Sequence, residues 1–454
     1  HRDLHSFPTR RSSDLVLEID PAGTNTFVHD PRGWATNVAR AGRTWSLGYD
    51  AEGNIGTNVS PMGHVRLAFH DNLGRPVSAR DPLYGTLHFQ DSRWTYDSMG
   101  RIVMDKNPMA ETNRFGYDAA SRLVAHTNPA GATASFVYDA AGSLVRSTDP
   151  EGRATGFAYT PMGRLAAVTN AAGEVTGYAY DTSGRPVRVD HPDGAQSAFA
   201  YDGAGRPARV TDEATNHWHT AYDARGLVIA TTNPAGGVTI LTHTPDGNPA
   251  TAADSDTGPV SNRYDAARRL VETTLPGGAA LRYEYNAHHE LVAAVDALGR
   301  TNRFDYDADG RLAAATDRAG HATTRAYDAA GRPTNVVDRT GAATAFAHDL
   351  VGRVTAITDP TGVRTTFGRD RMGWITNVTV GTSTWSLARN RTGAITNLVS
   401  PAGRSTARIP DALDRLATSV DALGRPHGLS RDARGRVTAA TDPEIGRASC
   451  RERV

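Results

Sequence analysis

Cysteine is almost absent from this sequence: Cys450, close to the end, is the only one. An internal disulfide framework and a C-x-x-C metal or redox pair are therefore excluded. Lysine is equally scarce, with Lys106 alone, so the positive charge is carried by arginine, as a GC-rich coding sequence would give. An excess of either sign is missing too. The 49 basic and 49 acidic residues cancel, which argues against nucleic acid or an anionic membrane surface as partner, since both select a basic face. No run of 18 apolar residues occurs, so no membrane-spanning helix is expected. The hydrophobic fraction of 39% is low for a compact globule. No P-loop, G-x-S-x-G elbow or H-E-x-x-H pair is present, and no window carries a sustained 3.6-residue apolar period. Almost no helix is expected.

What is abundant is turn chemistry, with 45 glycines and 24 prolines. The two ends are set apart from the rest. A codon string for His5–Leu15 has a reverse complement that encodes Glu444–Val454 residue for residue. Residues 1–15 and 444–454 are accordingly expected to be non-native, adapter-derived sequence, leaving 16–443 as the genuine segment. Cys450 falls in the excluded tail. The true ends are then missing, and no signal for export can be sought in them.

Within that segment a motif near Y-D-x-x-G-R-L/P returns every 21 residues. It starts at Tyr117, Tyr138, Tyr159, Tyr180, Tyr201, Tyr222, His243, Tyr264, Tyr285, Tyr306, Tyr327, His348 and Arg369. Shorter or longer spacings extend it back to His29 and forward to Arg431, for 20 units in all. Its glycine is seen at Gly142, Gly163, Gly184, Gly205, Gly310 and Gly331. A block repeat is superposed: Trp34, Trp45 and Pro61 return as Trp374, Trp385 and Pro401, an offset of 340.

One unit, Ala130–Pro150, shows why each repeat reads as a hairpin. Phe136 and Tyr138 alternate with Ser135 and Val137, which puts both aromatics on one strand face. Asp139 to Gly142 is a turn, Leu144 to Thr148 a returning strand, and Asp149-Pro150-Glu151-Gly152 a second turn. The expected fold class is all-β: tandem antiparallel hairpins forming one long array. A lone hairpin is marginal and open sheets beyond about ten strands curl, so this array is predicted to curl or spiral, with aromatic ladders across adjacent units.

The 21-residue unit, as in Tyr306-Asp307-Ala308-Asp309-Gly310-Arg311-Leu312, resembles the YD repeat of Rhs proteins. Similar repeats occur in the C component of insecticidal toxin complexes and in teneurins. The resemblance covers nearly all of residues 22–443. It implies a sheet that spirals into a hollow shell, which in many bacterial members encloses a C-terminal toxin. It also implies a cleavage site of D-P-x-G-L pattern. Asp359-Pro360-Thr361-Gly362-Val363 approaches that pattern but lacks the leucine, and reads as an ordinary repeat turn.

Few residues suggest chemistry. Asp305, Asp307 and Asp309 match the start of a calcium loop, but Thr316 stands where the bidentate glutamate belongs, and turn aspartates are expected there anyway. His217-Trp218-His219 places two imidazoles on one strand face without a third ligand. His288 and His289 are expected in an exposed turn. Turn aspartates and strand arginines are positioned to form ion pairs between neighbouring units. No catalytic residue, metal or cofactor is expected. The reading is a non-catalytic wall segment, from a bacterial secreted or surface protein, around an effector absent from this fragment. The alternative is a glycan- or protein-binding adhesion array that presents rows of Tyr, Trp and His on an exposed strand face, to be tested at Trp218 or Trp385.

Overall fold

In a computed structural model the described residues are 16–20, 23–80, 91–254, 257–442 and 446–449; of 16–20, 23 and 446–449 only the backbone is described. They form 42 strands and no helix. These are the forty strands of twenty hairpins, with Val16–Asp20 and Gly446–Ser449 flanking them. The proposed non-native tails lie largely outside the described residues, although Gly446–Ser449 pairs with Val437–Asp442.

The unit at 133–159 shows the construction. Thr133–Tyr138 pairs antiparallel with Leu144–Thr148, which pairs in turn with Ala154–Tyr159. Between them the Asp139 N–H donates to the Ser143 carbonyl (2.9 Å), and the Gly142 N–H to the Asp139 carbonyl (3.1 Å). This is a three-residue hairpin loop: a tight turn followed by one residue of left-handed backbone. Gly142 supplies that residue with φ +89°, a conformation costly to residues bearing a Cβ. The turn at 149–153 repeats the same two hydrogen bonds, with Gly152 at φ +83°.

The register slips by one between Val137 and Tyr138, so Val145 bulges from the returning strand. Val137 therefore pairs with Arg146, and Arg146 with Gly156. Gly156 is the repeat equivalent of Ser135 rather than of Val137. Each repeat thus slides two residues along its strands, and the same shift recurs from Tyr159 to Arg431. A steady stagger of this kind, added to strand twist, is what makes a sheet coil.

The chain divides into two compact units, each made of two separated stretches: residues 1–110 with 242–362, and residues 111–241 with 363–454. The single array read from the sequence is thus a succession of strands that contributes twice to each unit. Among the described residues neither unit shows a conventional core. Among the described residues only Ala293 and Ala356 are buried apolar side chains, and Asn128 and Asp328 buried polar ones. Along Thr133–Tyr138 the side chains alternate exposed and half-buried, with Phe136 and Tyr138 on the covered face. The aromatic rows are only half-covered, and ring-to-ring contacts among the described residues are few: Trp34 with Tyr49, Phe115 with His126, and two pairs involving His29 or His217. The expected aromatic ladder is replaced by one of tyrosine and arginine.

The block repeat has a structural counterpart. Trp34 and Trp374 stand where the signature has arginine. Each lies against the glycine of the next turn, so that a Cβ on Gly53 or Gly393 would come within 2.6 or 2.8 Å of the indole.

Candidate functional site

The signature residues make a ladder between consecutive repeats. In Asp118–Arg122, Asp118 Oδ1 accepts the N–H groups of Ala120 and Arg122 (both 2.9 Å), which fixes the turn. Asp118 Oδ2 accepts Arg122 Nε at 2.7 Å. The Arg122 guanidinium then reaches the next repeat: it lies 4.8 Å from the Tyr138 ring centroid, and Nη1 donates to the Asp139 carbonyl at 3.2 Å. Tyr138 in turn donates its hydroxyl back to the Leu123 carbonyl at 2.8 Å. The same hydroxyl bond runs from Tyr159, Tyr180, Tyr201, Tyr222, Tyr264, Tyr285, Tyr306 and Tyr327 to the residue 15 positions earlier. Tyr117 ends the strand Thr112–Tyr117 in the same place. Gly163, Gly184, Gly205, Gly310 and Gly331 all hold positive φ at the turn.

The aspartate–arginine pairs of the signature are made inside the turn, while between neighbouring repeats Arg268 reaches Asp246 and Arg318 reaches Asp296 (3.5 and 3.4 Å); the signature arginine crosses to its neighbour through tyrosine and a carbonyl. Each exposed ion pair contributes under ~1 kcal/mol, each hydroxyl bond about 1 kcal/mol and each cation–π contact about 0.5–1 kcal/mol. Small terms repeated at every interface are how solenoids are stabilised.

A second kind of contact joins stretches far apart in sequence. In the first unit Arg43 grips Glu290 with two bonds, 2.6 and 3.0 Å, and donates to the Asp307 carbonyl at 2.9 Å. Both side chains of the pair are only 14% exposed. Arg40 Nε donates to the Ala287 carbonyl at 3.1 Å, and its Nη2 contacts His289 Nε2. One turn further along, Asp309 accepts the Met62 N–H (3.0 Å) and faces His64 Nδ1 (2.9 Å). In the second unit Arg153 bonds Asp149 of its own turn, Asp414 through both oxygens, and Thr392. The Arg391 N–H donates to Glu151 at 2.5 Å. Arg434 contacts Asp193 and reaches Glu213 at 3.3 Å.

These contacts are seams between passes of the ribbon, and they follow one rule in both units. The earlier stretch offers the turn that follows its returning strand, and the later stretch offers the turn that follows its tyrosine position. The partners are 221 to 264 residues apart, about eleven to twelve repeats. The stacking is head to tail, the arrangement that propagates rather than closes on itself.

Two of the seam turns depart from the signature, while those at 307–311 and 432–436 keep its glycine and arginine. Glu290 replaces the arginine. His289 and Asp414 replace the glycine and keep its left-handed backbone, at φ +65° and +67°. Such a φ costs a residue with a Cβ about 1 kcal/mol, tolerated where the side chain bonds the opposite stretch. Burial raises the Glu290 carboxyl, but hydrogen bonds from Arg43 and Asn286 outweigh it and hold the group below the ordinary glutamate value. The hydrogen bond from Arg153, with help from Thr392 and Asn390, holds Asp414 down to about 2.

Six windows match the family model of the RHS repeat: residues 138–175, 163–196, 180–217, 263–301, 306–343 and 348–384. The chain carries RHS repeats. No curated protein matches it in sequence. Among solved structures, the RHS array is similar in fold to the crystal structure of TcdB2-TccC3-TEV, at TM-score 0.65 and 14% identity over 94% of this chain and 26% of that one. It is also similar to TcdB2-TccC3 without its hypervariable C-terminal region, at TM-score 0.62 and 13% identity over 94% and 30%. A third match is the Photorhabdus luminescens Tc holotoxin pore, at TM-score 0.54 and 12% identity over 88% and 29%. The array spans less than a third of each matched chain.

Read against the RHS turn, the remaining sequence candidates resolve into structural roles. The three calcium-candidate aspartates do not converge. Asp305 sits on an exposed strand position, Asp307 holds its own turn and Arg311, and Asp309 belongs to the seam. Among the described residues no group of three metal-ligating side chains is found. His217 pairs with Thr211 and lies edge-on to His219, with Trp218 40% exposed between them. His288 and His289 are half-buried in the seam, not in an exposed turn as expected, because the 40–43 turn packs over them. Ser60, His64 and Asp309 come together, but Ser60 Oγ accepts the His64 backbone N–H (3.2 Å) and the imidazole faces the carboxylate. That arrangement leaves serine without the imidazole base a nucleophile needs. The turn at Asp359–Gly362 has the ordinary Gly-to-Asp bond, 3.0 Å. Among the described residues no helix is long and apolar enough to cross a membrane. Sequence reasoning missed the seams; the signal available was loss of the signature at Glu290, His289 and Asp414.

Proposed function

We propose that this RHS segment is a stretch of container wall, non-catalytic itself, that encloses an effector chain joined beyond it in a secreted or surface-delivered bacterial protein. One observation carries the reading. Within each unit the ribbon meets itself about eleven to twelve repeats later, and the meeting is held by charged turns, two of which depart from the repeat at Glu290 and Asp414. A wall requires both a continuous ribbon and bonds between successive passes of it. Its work is physical: to keep an enclosed chain from outside contact until delivery. The fold likeness to toxin-complex structures supports the reading. An adhesion array has less support, since arginines cover the tyrosine rings that would otherwise stack on a ligand.

Electron microscopy of the purified chain tests the proposal. Curved, hollow-walled particles are expected. A straight ribbon or a solid rod contradicts it.

A further inference from the structure

One position of the turn recurs at both seams: the residue just before the turn glycine, or before the residue that replaces that glycine. Asp309 accepts the Met62 N–H, Glu151 accepts the Arg391 N–H, and Arg434 contacts Asp193. Apolar side chains at this position also meet the facing pass. The Met62 sulfur lies 2.9 Å from Arg311 Nη2. Leu413 shares a cleft with Ala134, Phe136 and Arg153 of the earlier stretch, and Met372 shares one with Ala130–Thr133.

The seams use one edge of each stretch. Two edges are left over in each unit: the turns after the tyrosine position in the earlier stretch, and the turns after the returning strand in the later one. Large apolar residues stand at the same position on these edges too. Leu73, Met99 and Met162 follow the tyrosine position in the earlier stretches, while Leu298 and Leu423 follow the returning strand in the later ones. All five are 63 to 80% exposed, and no other large apolar side chain among the described residues exceeds 51%. Met62, at the seam, is 47% exposed. The barest apolar side chains of the molecule therefore share one place in the turn, and they sit on the edges that the seams leave out. Bare apolar surface gathered in this way marks a contact face.

We propose that the two left-over edges bind one another on separate molecules, so that this chain stacks head to tail on a second copy of itself. The seam says what each edge fits. Inside each unit a turn after a returning strand meets a turn after a tyrosine position. Leu298 and Leu423 belong to the first class of turn, and Leu73, Met99 and Met162 to the second. A second copy offers to each bare edge the class of turn that its covered counterpart already meets. The two faces are unlike, so the contact is heterologous and repeats from molecule to molecule instead of closing as a dimer. Burial of the five apolar side chains drives it. The inference rests on the seam rule and not on the wall reading: a monomer with a hollow wall would end it and leave that reading standing.

Sedimentation velocity of the full chain under reducing conditions, from about 1 to about 100 μM, tests the stacking. The mean mass should keep rising with concentration, through dimer and trimer and beyond. A variant with Leu298→Asp and Leu423→Asp blocks one face; a variant with Leu73→Asp, Met99→Asp and Met162→Asp blocks the other. Aspartate already occupies this turn position at Asp193 and Asp309, so the turns keep their fold. Loss of one buried leucine or methionine corresponds to a factor on the order of ten to a hundred in affinity, and each variant alone should stay monomeric over the range. Mixed in equal amounts, the two variants should form a dimer and stop, because each brings one intact face. The proposal is overturned if the parent is a monomer throughout or stops at a dimer, or if the mixture stays monomeric. Variants that assemble as the parent does would assign the association to the end strands of the sheet and refute it. A variant that dimerises alone would show like faces pairing, and refute it equally.

Discussion

The seams of the two units occupy the same place in the repeat and use different chemistry. In the first, Arg43 and Glu290 are nearly buried and flanked by two histidines. In the second, Arg153 collects Asp149, Asp414 and Thr392 at partly exposed positions, and the imidazole of His191 enters only further along, against Glu213. The repeat supplies both with the same turn and stagger; what differs is which signature residue was given up. In the first unit both the arginine and the glycine positions changed, to Glu290 and His289. In the second the glycine changed to Asp414 and the arginine was kept as Arg415. Consensus residues build the ribbon, and its passes are joined both by departures such as Glu290 and Asp414 and by the variable positions of turns that keep the consensus, Asp309 and Arg434.

Removing the most buried partner should separate the two seams most sharply. Arg43→Ala strands Glu290 with Asn286 alone, and should lower the local opening free energy at 286–290 by about 3 kcal/mol, the scale of a broken buried pair. Exchange rates at those amides check it, with the second seam unmoved.

Asp414→Ala should cost the second seam about 2 kcal/mol, a lost charge-assisted bond. Asp414→Gly should cost about 1 kcal/mol less, because glycine also removes the strain at φ +67°. Equal losses would show that the backbone strain is immaterial. Acid should mimic the substitution. Asp414 is held down to about 2, so its contribution is complete above the ordinary aspartate value of about 3.9 and is lost as pH falls from there through about 2. Protection at 149–155 measured across that interval tests the sign.

The smallest effect belongs to the ribbon. Tyr201→Phe removes the 2.7 Å bond to the Pro186 carbonyl while leaving the ring near Arg185. A loss of about 1 kcal/mol confined to the neighbouring hairpins is expected, read from exchange at 186–207, with neither seam affected.

The ribbon was legible in the sequence because its causes are local. Alternation around Phe136 and Tyr138, and Asp139 with Gly142 at a fixed interval, are sufficient for strand, turn and period. The bulge at Val145 and the two-residue stagger were not legible, since nothing in composition marks which residue is left unpaired. Nor were the seams: Glu290 reads as one more surface charge until Arg43, 247 residues away, is placed against it. His288 and His289 were misjudged for the same reason, a turn being assumed exposed when another pass of the ribbon covers it. The departures from the signature were visible all along; only their partners were not.

The most direct test is a distance across the first seam. Spin labels at Thr44→Cys and Ala287→Cys, with Cys450→Ser to remove the chain's own thiol, report on two stretches that the sequence keeps far apart. A narrow distribution on the order of one strand's length, about 20 Å, is predicted. A broad distribution at several times that length would mean that the passes of the ribbon do not meet, and the account of the seams would fail.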